Sequence, residues 1–160
     1  MDKFGELDRS YIMSLIRSKN TKPEELVRKW LFSKGFRYRK NVKKLPGCPD
    51  IVLPKYRTVI FINGCFWHMH INCPSNHIPK TNREFWEKKL SRNQLRDSEN
   101  LFELEKLGWN VIVVWECGLT KKRKDGTLEA LEKDIVSNRD HKSILSLPSH
   151  STTSRPLSQP

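Results

Sequence analysis

The sequence predicts an α/β domain, on three observations. Asp50-Ile-Val-Leu53 and Thr58-Val-Ile-Phe-Ile62 are short apolar runs separated only by Pro54-Lys-Tyr-Arg57, the pattern of a β-hairpin. A long helical stretch then leads to a third apolar run, Trp109-Asn-Val-Ile-Val-Val-Trp115. Strand, long helix and strand in that order form the crossover that sets two strands parallel. At 160 residues the chain is the size of one domain, with little left over for a second.

The elements follow in order. Thr21-Lys-Pro-Glu24 reads as a helix start, with Thr21 as N-cap, Pro23 in the first turn and Glu24 closing a capping box. That helix carries Leu26, Trp30 and Leu31 on one face and stops at Gly35. Phe36-Arg-Tyr-Arg39 alternates as a half-buried strand does, and Leu45-Pro-Gly-Cys-Pro49 is a turn before the hairpin. Residues 63–80 mix Gly, Pro, Asn, Cys and His with no period, so they form a long loop, and such loops are usually functional or stapled by a metal. A second capping box, Thr81-Asn-Arg-Glu84, opens the long helix, whose apolar positions are Phe85, Trp86, Leu90, Leu101, Leu104 and Leu107. Gly108 ends it, and the run at 109–115 follows as a buried strand. A last helix is expected from about Thr127 to Val136, and the Ser- and Pro-rich residues 138–160 are expected to be a disordered tail.

Composition narrows the partner. Thirty Lys and Arg stand against 18 Asp and Glu, a formal net charge of +12. Each phosphate neutralised by such a surface releases counterions, which favours nucleic acid; an acidic membrane surface is the bland alternative. No apolar run approaches the ~20 residues of a membrane span, and the N-terminus lacks the apolar core of a signal peptide. The expectation is a reducing cytoplasm, where Cys48, Cys65, Cys73 and Cys117 serve as thiols or metal ligands rather than disulfides.

Three constellations carry chemistry. Cys65-x4-His70-x2-Cys73, with Cys117 at the end of the last strand, offers three thiolates and an imidazole to a tetrahedral Zn²⁺. His68 and His77 are also within reach, and spacing alone leaves the choice of histidine open. Pro49-Asp50 at a strand start, beside a second strand ending at Asn63-Gly64, is an arrangement that can hold Mg²⁺ against a scissile phosphate, although an Asp beside a turn is commonly a cap. Phe66-Trp67-His68 sets two large aromatics in a polar loop, either as core or as a wedge between base pairs, beside an imidazole suited to moving a proton near neutral pH.

Together these residues resemble the very short patch repair (Vsr-type) DNA mismatch endonuclease family. The segments that carry the likeness are Arg9-Ser10-x2-Met13-x2-Ile16, Thr21-Lys-Pro-Glu24, Pro46-Gly-x-Pro-Asp50 and Val59-Ile-Phe-Ile-Asn-Gly-Cys-Phe-Trp-His68. They continue through Thr81-Asn-Arg-Glu-Phe-Trp86, Asn93-x2-Arg96-Asp97 and Leu107-Gly-Trp-x-Val-x-Val-Val-Trp-Glu-Cys117, and so span roughly residues 9–120.

The resemblance implies a restriction-endonuclease-like fold, with a central mixed β-sheet flanked by helices and one structural zinc site. It places the endonuclease domain at 1–137, with an N-terminal arm at 1–20 contacting DNA. It implies a Mg²⁺-dependent cut in one strand, 5′ to the thymine of a T:G mismatch left by deamination of 5-methylcytosine. By this likeness Asp50 and the backbone carbonyl of Ile62 hold Mg²⁺, and His68 is general base or positions the water. Glu24 supports the site by hydrogen bonding, and Cys65, His70, Cys73 and Cys117 hold Zn²⁺. Phe66, Trp67 and Trp86 correspond to an aromatic wedge, Met13 to an apolar residue inserted from the opposite groove, and Asn93 and Arg96 to DNA contacts. Asn63 departs from the histidine common in the family; it can donate a hydrogen bond to phosphate but cannot titrate. The implied partners are mismatched duplex DNA, a mismatch-repair ATPase and a repair polymerase. The implied setting is a monomer in a prokaryotic cytoplasm, associated with the nucleoid. A less selective or restriction-type nickase on the same scaffold is one alternative, and a non-catalytic zinc-stabilised DNA-binding module is another.

Overall fold

Alternation along the strands decides how the layers assemble. In the computed structural model, which describes Tyr11, Leu15 and residues 19–145 (backbone only from 139), the elements are α1 (Lys22–Ser33), β1 (Arg39–Lys40), β2 (Ile51–Leu53), β3 (Thr58–Asn63), α2 (Arg83–Lys106), β4 (Asn110–Trp115) and α3 (Lys124–Leu145). Met13, most of the expected N-terminal arm and the residues after 145 lie outside the described residues. The strands form one sheet in the order β1-β2-β3-β4. β1 and β2 pair antiparallel, as do β2 and β3, while β3 and β4 are parallel across the α2 crossover. The mixed sheet, the hairpin and the crossover are thus as the sequence predicts.

Successive side chains on a strand point to opposite faces. Ile51 and Leu53 of β2, Ile60 of β3 and Val114 of β4 face one way and bury Val27 and Leu31 of α1 with Leu128, Leu131 and Ile135 of α3. Val52 and Val59 face the other way, onto Leu104 of α2, with Phe61 and Val111 beside them. The register Ile51↔Ile60 and Val52↔Val59 keeps each face coherent, and a slip of one residue would exchange them.

The helix boundaries have local causes. Thr21 caps α1: its hydroxyl oxygen accepts from the Glu24 backbone N–H at 3.5 Å, while Glu24 Oε2 accepts from Asn20 N–H at 3.0 Å. Gly35 (φ +85°) and Gly108 (φ +79°) occupy the left-handed conformation that ends α1 and α2.

Four expectations are corrected. The strand expected at 36–39 is only Arg39–Lys40, because Phe36 turns into the core against Tyr56. The second capping box does not form; Asn82 (φ 52°) is the N-cap of α2 with no side-chain cap bond, and Glu84 instead accepts from Lys88. β4 is half-buried rather than buried, since it is the edge strand and only Val114 is fully covered. α3 begins at Lys124 and runs to Leu145, past the Val136 expected from sequence.

Candidate active site and metal centre

The parallel pair β3 and β4 ends at one edge of the sheet, and the chemistry-bearing residues gather there. Asp50 stands immediately before β2, near Glu24 and Arg28 of α1, and its Oδ2 accepts the Ile62 backbone N–H at 2.8 Å. One carboxylate oxygen is therefore anchored on β3 while the Ile62 peptide is held beside it. Burial raises the Asp50 carboxyl above its ordinary range, and the nearby Glu24 adds to this; the Ile62 hydrogen bond and the charges of Arg28 and His68 oppose it.

Glu24 is buried, and it is matched. Arg28 Nη2 donates to Glu24 Oε2 at 2.8 Å and lies 3.4 Å from the Asp50 carbonyl, while Arg28 Nη1 donates to Asn20 Oδ1 at 2.8 Å. The ion pair ties the start of α1 to the strand that carries Asp50.

His68 is oriented from α2. Its Nδ1 lies 2.5 Å from Asp97 Oδ2, which leaves Nε2 for a substrate or a water. Asp50, Ile62, Asn63, Trp67 and His68 line one cleft of about 670 Å³, with Glu24, Lys89, Arg96 and Glu116 on its walls. The carboxylate and the imidazole on which the sequence reading depends thus share one cavity. Asp97, Arg28 and Glu116 had no assigned role. Asp97 lies within a matched segment, but its partner His68 is 29 positions away, a pairing that only the folded chain reveals.

The loop between β3 and α2 winds tightly at its start. His68 N–H donates to the Gly64 carbonyl at 3.2 Å and His70 N–H to the Cys65 carbonyl at 3.0 Å. Glu116 Oε1, from the end of β4, accepts the Cys65 N–H at 2.9 Å. A Cβ on Gly64 would press on Trp67 Cδ1 at 3.3 Å and reach the Glu116 carboxylate at 3.7 Å, an ordinary contact.

This winding brings together Cys65, His70, Cys73 and Cys117, whose ligand atoms all lie within 4.8 Å of one another. Cys65 Sγ and Cys117 Sγ are each 3.4 Å from His70 Nδ1. A tetrahedron built at the usual zinc–sulfur and zinc–nitrogen bond lengths has an edge of about 3.6 Å, so the donor set fits a tetrahedral cation. Burial, with the neighbouring Cys117 and Cys73 thiols, pushes Cys65 up to about 12, while the Ser75 backbone N–H draws Cys73 down. Three converging sulfurs require a cation to become thiolates together. The His70 ring stacks on Trp115 at 4.1 Å, which fixes its plane.

The aromatic residues of the loop also cluster. Phe66 lies 5.1 Å from Trp67 and 5.4 Å from Trp86, with Trp67 and Trp86 6.0 Å apart. All three are half-buried. Lys89 Nζ sits 5.4 Å over Trp67 and 5.5 Å over Trp86. Asn93 Nδ2 donates to the Trp67 carbonyl at 3.2 Å, and exposed Arg96 lies 3.7 Å from Asp97.

Known proteins are similar to this chain over most of its length. The family described as DNA mismatch endonuclease Vsr matches residues 1–74. The type II nicking enzyme V.NmeAIP of Neisseria meningitidis is 58% identical over 121 residues, covering 76% of this chain and 86% of that protein. The type II nicking enzyme V.XorIIP of Xanthomonas oryzae is 43% identical over 135 residues, covering 84% and 96%. The DNA mismatch endonuclease Vsr of Escherichia coli is 39% identical over 137 residues, covering 84% and 87%. Identity at this level across most of each chain means that this protein is a DNA endonuclease belonging to the Vsr family.

Proposed function

We propose that this enzyme is a Mg²⁺-dependent mismatch endonuclease that cuts one strand 5′ to the thymine of a T:G mismatch, in very short patch repair of deaminated 5-methylcytosine. The observation that carries the reading is the single cleft lined by Asp50, Ile62, Asn63 and His68, with Trp67 at its wall. Asp50 and the Ile62 carbonyl are the residues that would hold Mg²⁺. Mg²⁺ bound there supplies positive charge that offsets the negative charge building on a phosphate. His68 takes the proton of the attacking water at Nε2, with Asp97 holding the ring by Nδ1. Water oxygen bonds to phosphorus as the bond to the leaving oxygen breaks. Asn63 donates a hydrogen bond to a phosphate oxygen, and Glu24 with Arg28 keeps Asp50 in place.

Cys65, His70, Cys73 and Cys117 are the residues that would hold Zn²⁺, which would clamp the loop so that Phe66, Trp67 and Trp86 stand rigid enough to enter the base stack beside the mismatch. Met13 wedges from the opposite groove, while Asn93 and Arg96 contact the strand. The enzyme acts as a monomer on duplex DNA in a prokaryotic cytoplasm, with a mismatch-repair ATPase and a repair polymerase as partners. A second reading, a nickase with a broader range, is favoured by Asn63 and by relatives named as nicking enzymes.

The test incubates the protein and Mg²⁺ with labelled T:G and T:A duplexes, resolved on denaturing gels. Cutting of T:G alone, lost in Asp50→Ala, is the expected result. Equal cutting of both duplexes favours the second reading, and no dependence on Mg²⁺ overturns the first.

A further inference from the structure

We infer that the groove between α1 and α3 is a phosphate-binding rail for the duplex flanking the lesion, an extension that rests on the mismatch-nicking reading. The groove, of about 530 Å³, is edged by Lys22 and Lys29 from α1 and Lys124 from α3. Lys22 lies between Thr21 and Pro23, which line the active-site cleft, so the groove begins where the cleft ends. Lys22 and Lys29, seven positions apart, lie on one side of the helix with a rise of about 10 Å between them. The exposed run Lys121-Lys122-Arg123 leads into Lys124 and follows Cys117 closely, which ties the basic stretch to the metal end of the sheet.

The charges here are uncommitted. Arg83 is matched with Glu87, Lys88 with Glu84 and Lys106 with Glu103 on α2, and Lys34 with Glu132 where α1 meets α3. Among the described residues, no ion pair engages Lys22, Lys29, Lys124 or the 121–123 run, although Glu25 and Asp125 also line the groove. The apolar floor does not call for a protein partner. Leu128 is buried, and Leu26 and Trp30 already pack against the core. What remains unsatisfied is positive charge, and a duplex offers about one negative charge per 1.7 Å of its axis.

The experiment measures binding of Lys22→Gln/Lys29→Gln/Lys124→Gln and of the unaltered protein, without added Mg²⁺, between about 50 and 200 mM salt. Two T:G duplexes are used, one of about thirty base pairs and one of about twelve. Three phosphate contacts predict that, on the long duplex, the unaltered protein loses about 40-fold more affinity over this range than the variant. On the short duplex the two should coincide, and both should nick it when Mg²⁺ is then added. Equal salt dependence on the long duplex overturns the rail and leaves the face to an acidic protein; an equal difference on both duplexes overturns the assignment to the flank. Lys121→Gln/Lys122→Gln/Arg123→Gln gives an independent measurement if the first variant folds poorly. Failure of the unaltered protein to nick T:G once Mg²⁺ is added sinks the mismatch reading while the salt dependence still decides the rail.

Discussion

Arg28→Met tests how the active site is held together. The side chains of Arg28 and Glu24 are only 6% and 4% exposed, and their 2.8 Å ion pair has no solvent to replace it. Removing one member strands a buried carboxylate, which costs about 3–5 kcal/mol. At roughly 2–4 °C per kcal/mol for a chain of this length, the melting temperature should fall by about 10 °C. Glu24→Leu/Arg28→Met, which removes both charges, should recover most of that loss, because Arg28 Nε is itself buried without a hydrogen-bond partner among the described residues. Circular dichroism melting measures both variants. The same substitution has a catalytic signature. Arg28 is one of the charges holding the Asp50 carboxyl down against burial, so without it Asp50 ionises at higher pH. The acid limb of the nicking profile of Arg28→Met should therefore move to higher pH. A loss under about 1 kcal/mol in the single variant, or a double variant less stable than the single, would refute the argument.

Further outcomes follow from the same geometry. Asp50→Asn should abolish nicking yet raise the melting temperature at neutral pH in the absence of divalent cations. Asparagine can still accept the Ile62 N–H, and burial raises the aspartate pKa in the folded state, so ionised Asp50 opposes folding; the gain should fade as pH falls below the carboxylate range. Asp97→Asn should lower the nicking rate by about 10²–10⁴ with mismatch binding unchanged, as quench kinetics and anisotropy can measure, because the ring of His68 loses its orienting charge. Cys117→Ala should abolish stoichiometric zinc in elemental analysis and open residues 64–82 to proteolysis; retention of one zinc per chain would remove Cys117 from the site. Gly64→Ala should destabilise by about 1–3 kcal/mol in urea unfolding, since the added methyl presses Trp67 against the loop.

Residues whose chemistry is local could be read from the chain alone. The hairpin and crossover were legible in the apolar runs, because strands covered on both faces leave continuous apolar stretches in the sequence. The cysteines and His70 were legible as candidates because metal chemistry restricts residue type; their convergence required the loop to wind. The second capping box misled because its residue types were present but the backbone at Asn82 entered the left-handed region. β4 has the composition of a central strand and stands at an edge, since apolar character does not encode position in a sheet.

Sequence by itself determined the α/β class, the basic surface, the residue kinds of the site and, through its likeness to known chains, the family. Tertiary structure decided which side chains share a cavity. It brought Asp97 to His68, Glu116 to the Cys65 peptide, Arg28 to Glu24 and Trp86 to Phe66. Residue type and local spacing carry information about how one segment folds; pairings across 29 or 51 positions depend on how helices and strands pack, which is a property of the whole chain.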